Sequence, residues 1–272
     1  MSIVFEHETH VDNTIEEAFA WHERKGAFRR LMPPWELAEE VRADDNLEEG
    51  SQRIFRFPMG PIKMSWVAQH TAYNPPHSFE DIMLKGPFKS WHHIHKFENT
   101  PDGKVMIHDK VNYRLPMGFL GNIVAGRMIK KRLTRMFTAR EIRLERDLQR
   151  HAEFSHLKRK KILVAGSSGL IGRQLVAFLD TGGHDVWRLV RRAVKPDSKE
   201  ISWSPDSGDL DAKQLEGFDT IIHLGGAGIG DKRWSKSRMR LIEESRTIST
   251  TLLSETIANL KKKPESFIVA SA

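Results

Sequence analysis

The sequence predicts an α+β domain followed by an incomplete α/β domain built on a doubly wound parallel sheet. Three observations carry this prediction. Residues 2–150 hold strand-like runs separated by proline- and glycine-rich turns, then a proline-free stretch from Gly118 to about His151 with apolar residues at helical spacing. Lys161-Ile162-Leu163-Val164-Ala165 is a short apolar run, suited to a strand buried on both faces, and it leads directly into Gly166-Ser167-Ser168-Gly169-Leu170-Ile171-Gly172. Between these halves, His151–Lys161 is polar and basic without periodicity, which sets the domains at 1–152 and 160–272.

Each element of the first half has its own signal. Ile3–Val11 alternates and reads as a strand. Asn13-Thr14 can cap a helix carrying Ile15, Ala18, Phe19, Trp21 and His22, continuing in some form to Leu31, where Met32-Pro33-Pro34-Trp35 breaks it. Strands follow at Gln52–Phe57, Lys63–Ala72, Phe79–Leu84, Ser90–Phe97 and Val105–Arg114. The long helix places Ile123, Ile129, Leu133, Phe137, Ile142, Leu144 and Leu148 at core spacing. One helical segment, a mostly antiparallel sheet and a long final helix make an α+β layout.

This order of elements, with phrases such as Gly86-Pro87-Phe88-Lys89-Ser90-Trp91, resembles the helix-grip fold of the START-like (SRPBCC, polyketide-cyclase-like) superfamily. The resemblance implies a curved sheet around the last helix and a pocket for a hydrophobic or substrate-like small molecule. Fold alone does not assign the ligand.

Trp91, His93, His95 and Phe97 share one face of their strand, and His92, Ile94 and Lys96 the other. Two histidines so placed can ligate a metal, with His108 as a third ligand. No carboxylate stands at an evident ligand spacing to them, so the favoured reading is hydrogen-bonded side chains beside a pocket, with no metal.

Composition narrows the function classes. The 272 residues are 39% hydrophobic and 29% charged, ordinary for a globular protein. Absence of cysteine excludes disulfides, thiolate metal sites and a cysteine nucleophile. The first residues resemble no secretory signal and no run reaches membrane-span length, so the expected location is the cytoplasm. The net charge of +7 is local: Arg127–Lys161 holds 13 Lys/Arg against 4 acids. Only Phe137 and Phe154 interleave with that cluster, too few for a base-stacking surface, so a solvated helix face is expected rather than a nucleic-acid partner.

The second half carries the chemistry. The apolar strand, the glycine turn, a helical pattern through Leu175, Val176, Phe178 and Leu179, and a second apolar strand at Asp185–Val190 form the context of a phosphate-binding Rossmann turn. Gly166 permits the tight turn, Gly169 the approach of a pyrophosphate, and Gly172 close helix–strand packing. Ser168, Leu170 and Ile171 complete the expected cofactor cradle at the helix N-terminus. The second strand ends in Arg191-Arg192, where NAD-preferring proteins place an acid, so NADP(H) is expected over NAD(H).

Asp219-Thr220-Ile221-Ile222-His223-Leu224-Gly225-Gly226-Ala227 is similar to the "D-x-V-I-N-L-A-G" strand of extended and atypical short-chain dehydrogenase/reductases, with His223 and Gly225 departing from it. Together with Trp203–Gly208, Lys232–Ser235 and Lys263–Ala272, it resembles a bacterial group of nucleoside-diphosphate-sugar epimerase-like proteins. Some members carry a cell-division-inhibitor label, and some a START-like N-terminal domain. The resemblance implies that Leu224, Gly225 and Gly226 back the nicotinamide ribose and that Ser271 stands where the catalytic serine does. The Tyr-x-x-x-Lys partner is missing, because Tyr73 and Tyr113 both lie in the first half. The expected function is therefore an NADP(H)-dependent oxidoreductase or nucleotide-sugar epimerase, C-terminally truncated and inactive as a fragment. A cofactor-binding redox sensor and a lipid-binding protein are the alternatives. The remaining strands, Ile221–Leu224 and Phe267–Ala270, are expected to be buried like the first.

Overall fold

The computed structural model describes all residues except Met1, Gly60, Pro61, Met117, Lys195, Ser271 and Ala272, and describes no side chains for Met59 and 118–125. The chain divides into two compact units, Met1–His156 and Leu157–Ala272.

In the first unit, β1 (Ile3–Val11) is followed by α1 (Ile15–Glu23) and α2 (Ala27–Leu31), then β2 (Glu39–Ala43), β3 (Gln52–Met59), β4 (Ile62–Asn74), β5 (Ser78–Lys85), β6 (Ser90–Asn99), β7 (Val105–Arg114) and the helix α3 (Gly118–Glu153). The strands form one seven-stranded antiparallel sheet in the order β1-β7-β6-β5-β4-β3-β2. Thr14 caps α1 in a capping box with Glu17: its Oγ1 accepts from Glu17 N–H, and Glu17 Oε2 accepts from Thr14 N–H, both at 3.2 Å. The helical segment expected through Leu31 is two helices, because α1 ends at Glu23 and α2 starts at Ala27.

Two apolar clusters pack between sheet and helices. One gathers Phe19, Trp21, Phe97 and Ile107 under Leu144 and Leu148 of α3; the other gathers Phe5, Trp91 and Tyr113 under Leu133 and Phe137. Ile142, expected in this core, is 44% exposed instead, since it lies off the 133-137-144-148 stripe. Arg140 holds the middle of that stripe and belongs to the polar band described below. α2 is tied to α3 by a buried bidentate pair: Arg30 Nε and Nη2 donate to Asp147 Oδ2 and Oδ1, each at 2.6 Å. Arg140 faces a cavity rather than solvent, so the basic cluster of α3 is not wholly a solvated face.

In the second unit, β8 (Lys161–Ala165), α4 (Leu170–Thr181), β9 (Asp185–Val190), β10 (Glu200–Ser202), β11 (Thr220–His223), α5 (Lys236–Ala258) and β12 (Ser266–Val269) follow in order. The five strands are parallel and lie in the order β10-β9-β8-β11-β12. That is the 3-2-1-4-5 order of a doubly wound sheet, with its switch point between β8 and β11. Alternation along the strands serves both faces: Ile162 and Val164 pack with Val176 of α4, whereas Leu163 and Ala165 pack with Leu253 of α5. β8 and β11 are buried as expected, but β12 is not: Ile268 is 52% and Val269 36% exposed at the sheet's edge. Among the described residues no helix is long and apolar enough to cross a membrane.

The Arg30–Asp147 pair yields a stability prediction. Asp147→Ala strands a buried guanidinium and should destabilise the unit by about 3–5 kcal/mol. Arg30→Met/Asp147→Leu should recover most of that, because packing replaces both charges. Chemical denaturation of the three variants checks it, and a loss below about 1 kcal/mol in Asp147→Ala contradicts it.

Candidate functional site: a glycine turn and a buried polar pocket

Two sites stand out, one in each unit. At the C-terminal end of β8 the chain turns through Gly166 with φ +79°, a conformation that glycine adopts without strain. A Cβ there would lie 2.6 Å from Leu224 C and 2.7 Å from Gly225 N, so the turn rests directly on the backbone leaving β11. At Gly172 a Cβ would lie 2.2 Å from Gly166 O, so the first turn of α4 packs on the same loop. Gly169 differs: its Cβ position meets only Gly166 O at 3.4 Å and is otherwise open. Gly169 is also the N-cap of α4 and has no side chain to satisfy the first-turn amides. Ser168, Leu170 and Ile171 are exposed around it. Open amides at a helix N-terminus, bounded by backbone that tolerates no side chains, fit a dinucleotide pyrophosphate.

The structure thus brings Gly166, Gly169, Gly172, Leu224 and Gly225 together at the switch point. Arg191 and Arg192 follow β9 and are both exposed. Arg192 is already engaged: its Nη1 and Nη2 donate to Glu200 Oε2 and Oε1 of β10 at 2.9 and 2.7 Å. This partner is seen only once β10 is paired to β9. Ser271, the expected catalytic hydroxyl, lies outside the described residues.

The two departures at the end of β11 are coupled. His223 is buried, and its Nε2 lies 2.8 Å from Ser249 Oγ. Ser249 donates its own hydrogen to Ser245 O at 2.7 Å, so it accepts from Nε2–H. Nδ1 is then free to accept from Gly225 N–H at 3.4 Å. A Cβ at Gly225 would lie 2.8 Å from His223 Cε1, so an imidazole at 223 requires glycine at 225. Burial, and then the charge of Arg246, hold the His223 imidazole below its ordinary value.

The second site is a cavity of about 620 Å³ in the first unit. Phe55, Phe57, Trp66, Phe88, Leu133 and Met136 give it an apolar wall, and His22, His70, Asp81, His93, His95 and Arg140 a polar one. The polar wall is a product of register. Asp81 of β5 is the cross-strand partner of His93 in β6, and Asp109 of β7 is the partner of His95. His93 Nε2 lies 3.1 Å from Asp109 Oδ1, and His93 Nδ1 lies 3.5 Å from Asp81 Oδ2. His95 Nδ1 is 2.6 Å from Asp109 Oδ1, though off the line of a hydrogen bond. The carboxylates that sequence spacing did not reveal are therefore supplied by the neighbouring strands. His108 does not join them; it lies 3.8 Å from Glu6 on the other side of the strand.

Electrostatics follow from burial. Desolvation pushes His22 down to about 4, lowers His70, His93 and His95, and raises Asp81. Burial also opposes ionisation of Asp109, yet the charge of the nearby His95 and the hydrogen bond to His93 hold its carboxyl well below the ordinary value.

Residues 162–272 match the NAD dependent epimerase/dehydratase family. Over 98 residues the chain is 40% identical to an epimerase family protein of Mycobacterium bovis, covering 36% of this chain and 32% of that protein. It is 30% identical over 113 residues to an epimerase family protein of Homo sapiens, covering 41% and 36%. The crystal structure of a nucleoside-diphosphate sugar epimerase from Corynebacterium glutamicum superposes with a TM-score of 0.78 at 31% identity, over 99% of this chain and 54% of that one. The chain thus spans about half of that solved relative and matches about a third of the curated ones.

The His223–Gly225 coupling is testable. Gly225→Ala should destabilise the second unit by about 1–3 kcal/mol through overpacking. Adding His223→Asn should restore most of it, a non-additivity that a double-mutant cycle measures. His223 also predicts acid sensitivity. Its folded value is lowered, so the unfolded chain takes up the proton first, and stability declines as pH falls below about 6.5. Denaturation of His223→Asn from pH 7 to 5 should show a flatter profile; equal slopes would contradict the assignment.

Proposed function

We propose that the second unit binds NADP(H) and forms the cofactor half of a nucleotide-sugar epimerase or related oxidoreductase. The observation that carries this reading is the bare glycine turn at the switch point of a 3-2-1-4-5 sheet, within the segment that matches the NAD dependent epimerase/dehydratase family. The nucleoside-diphosphate sugar epimerase that aligns along nearly the whole chain supports a nucleotide sugar as the substrate class.

Each residue then has a part. The first-turn amides after Gly169 and the positive end of α4 hold the pyrophosphate. Leu224, Gly225 and Gly226 give the nicotinamide ribose a flat backbone wall. Arg191 turns to the 2′-phosphate of the adenosine ribose, while Arg192 stays with Glu200 and shapes the rim. The bound cofactor supplies hydride transfer to or from a carbinol or carbonyl carbon. Ser271 would hydrogen-bond the oxygen on that carbon. No tyrosine occurs between Leu157 and Ala272, so these residues hold and orient without supplying the Tyr-x-x-x-Lys acid/base pair.

The first unit is read as a START-like small-molecule domain. Its support is the roughly 620 Å³ cavity, of a size that takes a drug-sized apolar ligand. Cofactor binding without catalysis, as in a redox sensor, is the second reading, which a full-length protein with a missing or altered Tyr-x-x-x-Lys would favour.

Fluorescence titration of the 272-residue chain with NADPH and NADH tests the cofactor assignment. NADPH should bind the more tightly. Arg191→Ala should weaken NADPH by about 10–100-fold, the worth of a charge-assisted hydrogen bond, and leave NADH unchanged. Arg192→Ala should do much less. Equal affinities for the two cofactors, unmoved by Arg191→Ala, would contradict it.

A further inference from the structure

The polar wall of the first unit's cavity contains a ligand set that none of the functions above uses. Asp81, His93 and His95 each present a donor atom, and the three atoms lie within 4.8 Å of one another. In a tetrahedral site with metal–nitrogen bonds of about 2.0–2.1 Å, donors stand roughly 3.3 Å apart. Small side-chain rotations close that difference. We propose that Asp81, His93 and His95 bind one divalent transition-metal cation of the zinc type, with an open coordination position on the cavity side.

Four observations point the same way. The donor set is two imidazoles and one carboxylate, which suits Zn²⁺, Co²⁺ or Fe²⁺ rather than the all-oxygen preference of Mg²⁺ or Ca²⁺. A shared outer partner orients the imidazoles: His93 Nε2 is held by Asp109 at 3.1 Å, which leaves Nδ1 facing Asp81, and His95 touches the same carboxylate at 2.6 Å. A carboxylate behind a histidine is the usual outer shell of a metal site. Charge is the third observation. Asp81 and Asp109 lie in the buried band with Arg140 as the cation that faces both, so a divalent ion answers an excess of buried negative charge. Last, all three ligands line the cavity, so the protein closes only one side of the ion.

Three protein ligands with an open position are the pattern of a reactive or ligand-binding centre rather than a structural one. The fourth position faces the apolar wall. The geometry therefore selects a cavity ligand with an apolar body and a single oxygen head, such as a carbonyl, phenolate or carboxylate, bound to the ion.

Co²⁺ is the probe, added to the metal-free 272-residue chain and followed by visible d–d absorption and by calorimetry. The expected result is one ion per chain with the intense bands of low-coordinate Co²⁺, competed by Zn²⁺. Asp81→Asn and His95→Gln should each weaken binding at least about 100-fold. Asp109→Asn should weaken it by about 10–100-fold while keeping the ligand set. An unchanged far-ultraviolet circular dichroism spectrum shows that each variant is folded. The wild-type spectrum needs no variant: absence of d–d bands and of stoichiometric uptake overturns the proposal. Uptake that survives the Asp81→Asn/His95→Gln double change also overturns it, because the ion then sits on exposed pairs such as His92–Glu80.

Discussion

The second unit depends on one close approach, that of the Gly166 turn to the backbone at Leu224–Gly225. With a side chain at 166 the two segments would separate, since the added Cβ would fall 2.6 Å from Leu224 C. Contact at that point fixes the C-terminal ends of β8 and β11 side by side and opens the crevice of the switch point. It also sets the start of α4, because Gly172 rests on Gly166 O. The helix end and its free amides are aimed into the crevice as a consequence of packing. β11 and α5 support the same place from behind: His223 is locked to Ser249, and Ala227 N–H donates to Ser245 Oγ at 2.8 Å. Mutating the support should therefore affect stability, whereas mutating the rim should affect affinity.

The first unit meets a different constraint. Its core stripe on α3 is interrupted by Arg140, and the strands opposite contribute His93, His95, Asp81 and Asp109 to one buried band. Apolar clusters flank the band on both sides. Such a band costs stability unless its charges are matched.

Much of this was legible in the sequence, for local reasons. Ile3–Val11 and Val105–Arg114 are strands over the residues that alternation marks, because both pair along one buried face. The glycine turn is legible because three glycines at fixed spacing leave few other foldings. What escaped is non-local. β2 carries no apolar periodicity, being Glu-Glu-Val-Arg-Ala on an exposed edge. Asp81 lies 12 positions before His93 in the sequence but opposite it in the sheet, and Asp109 becomes a partner only through the β6–β7 register. Arg192 looked free for a phosphate until β10 brought Glu200 beside it. Arg140 was hidden because a charged residue at core spacing reads as solvated face.

The proposed seat of the nicotinamide dinucleotide is the Gly166–Gly172 turn. Hydrogen–deuterium exchange of the 272-residue chain, with and without saturating NADPH, tests it most directly. The predicted result is slowed exchange at the amides of residues 168–172 and 224–227, with the strands of the first unit unchanged. Binding of NADPH that leaves both segments exchanging at their unliganded rates would contradict the claim.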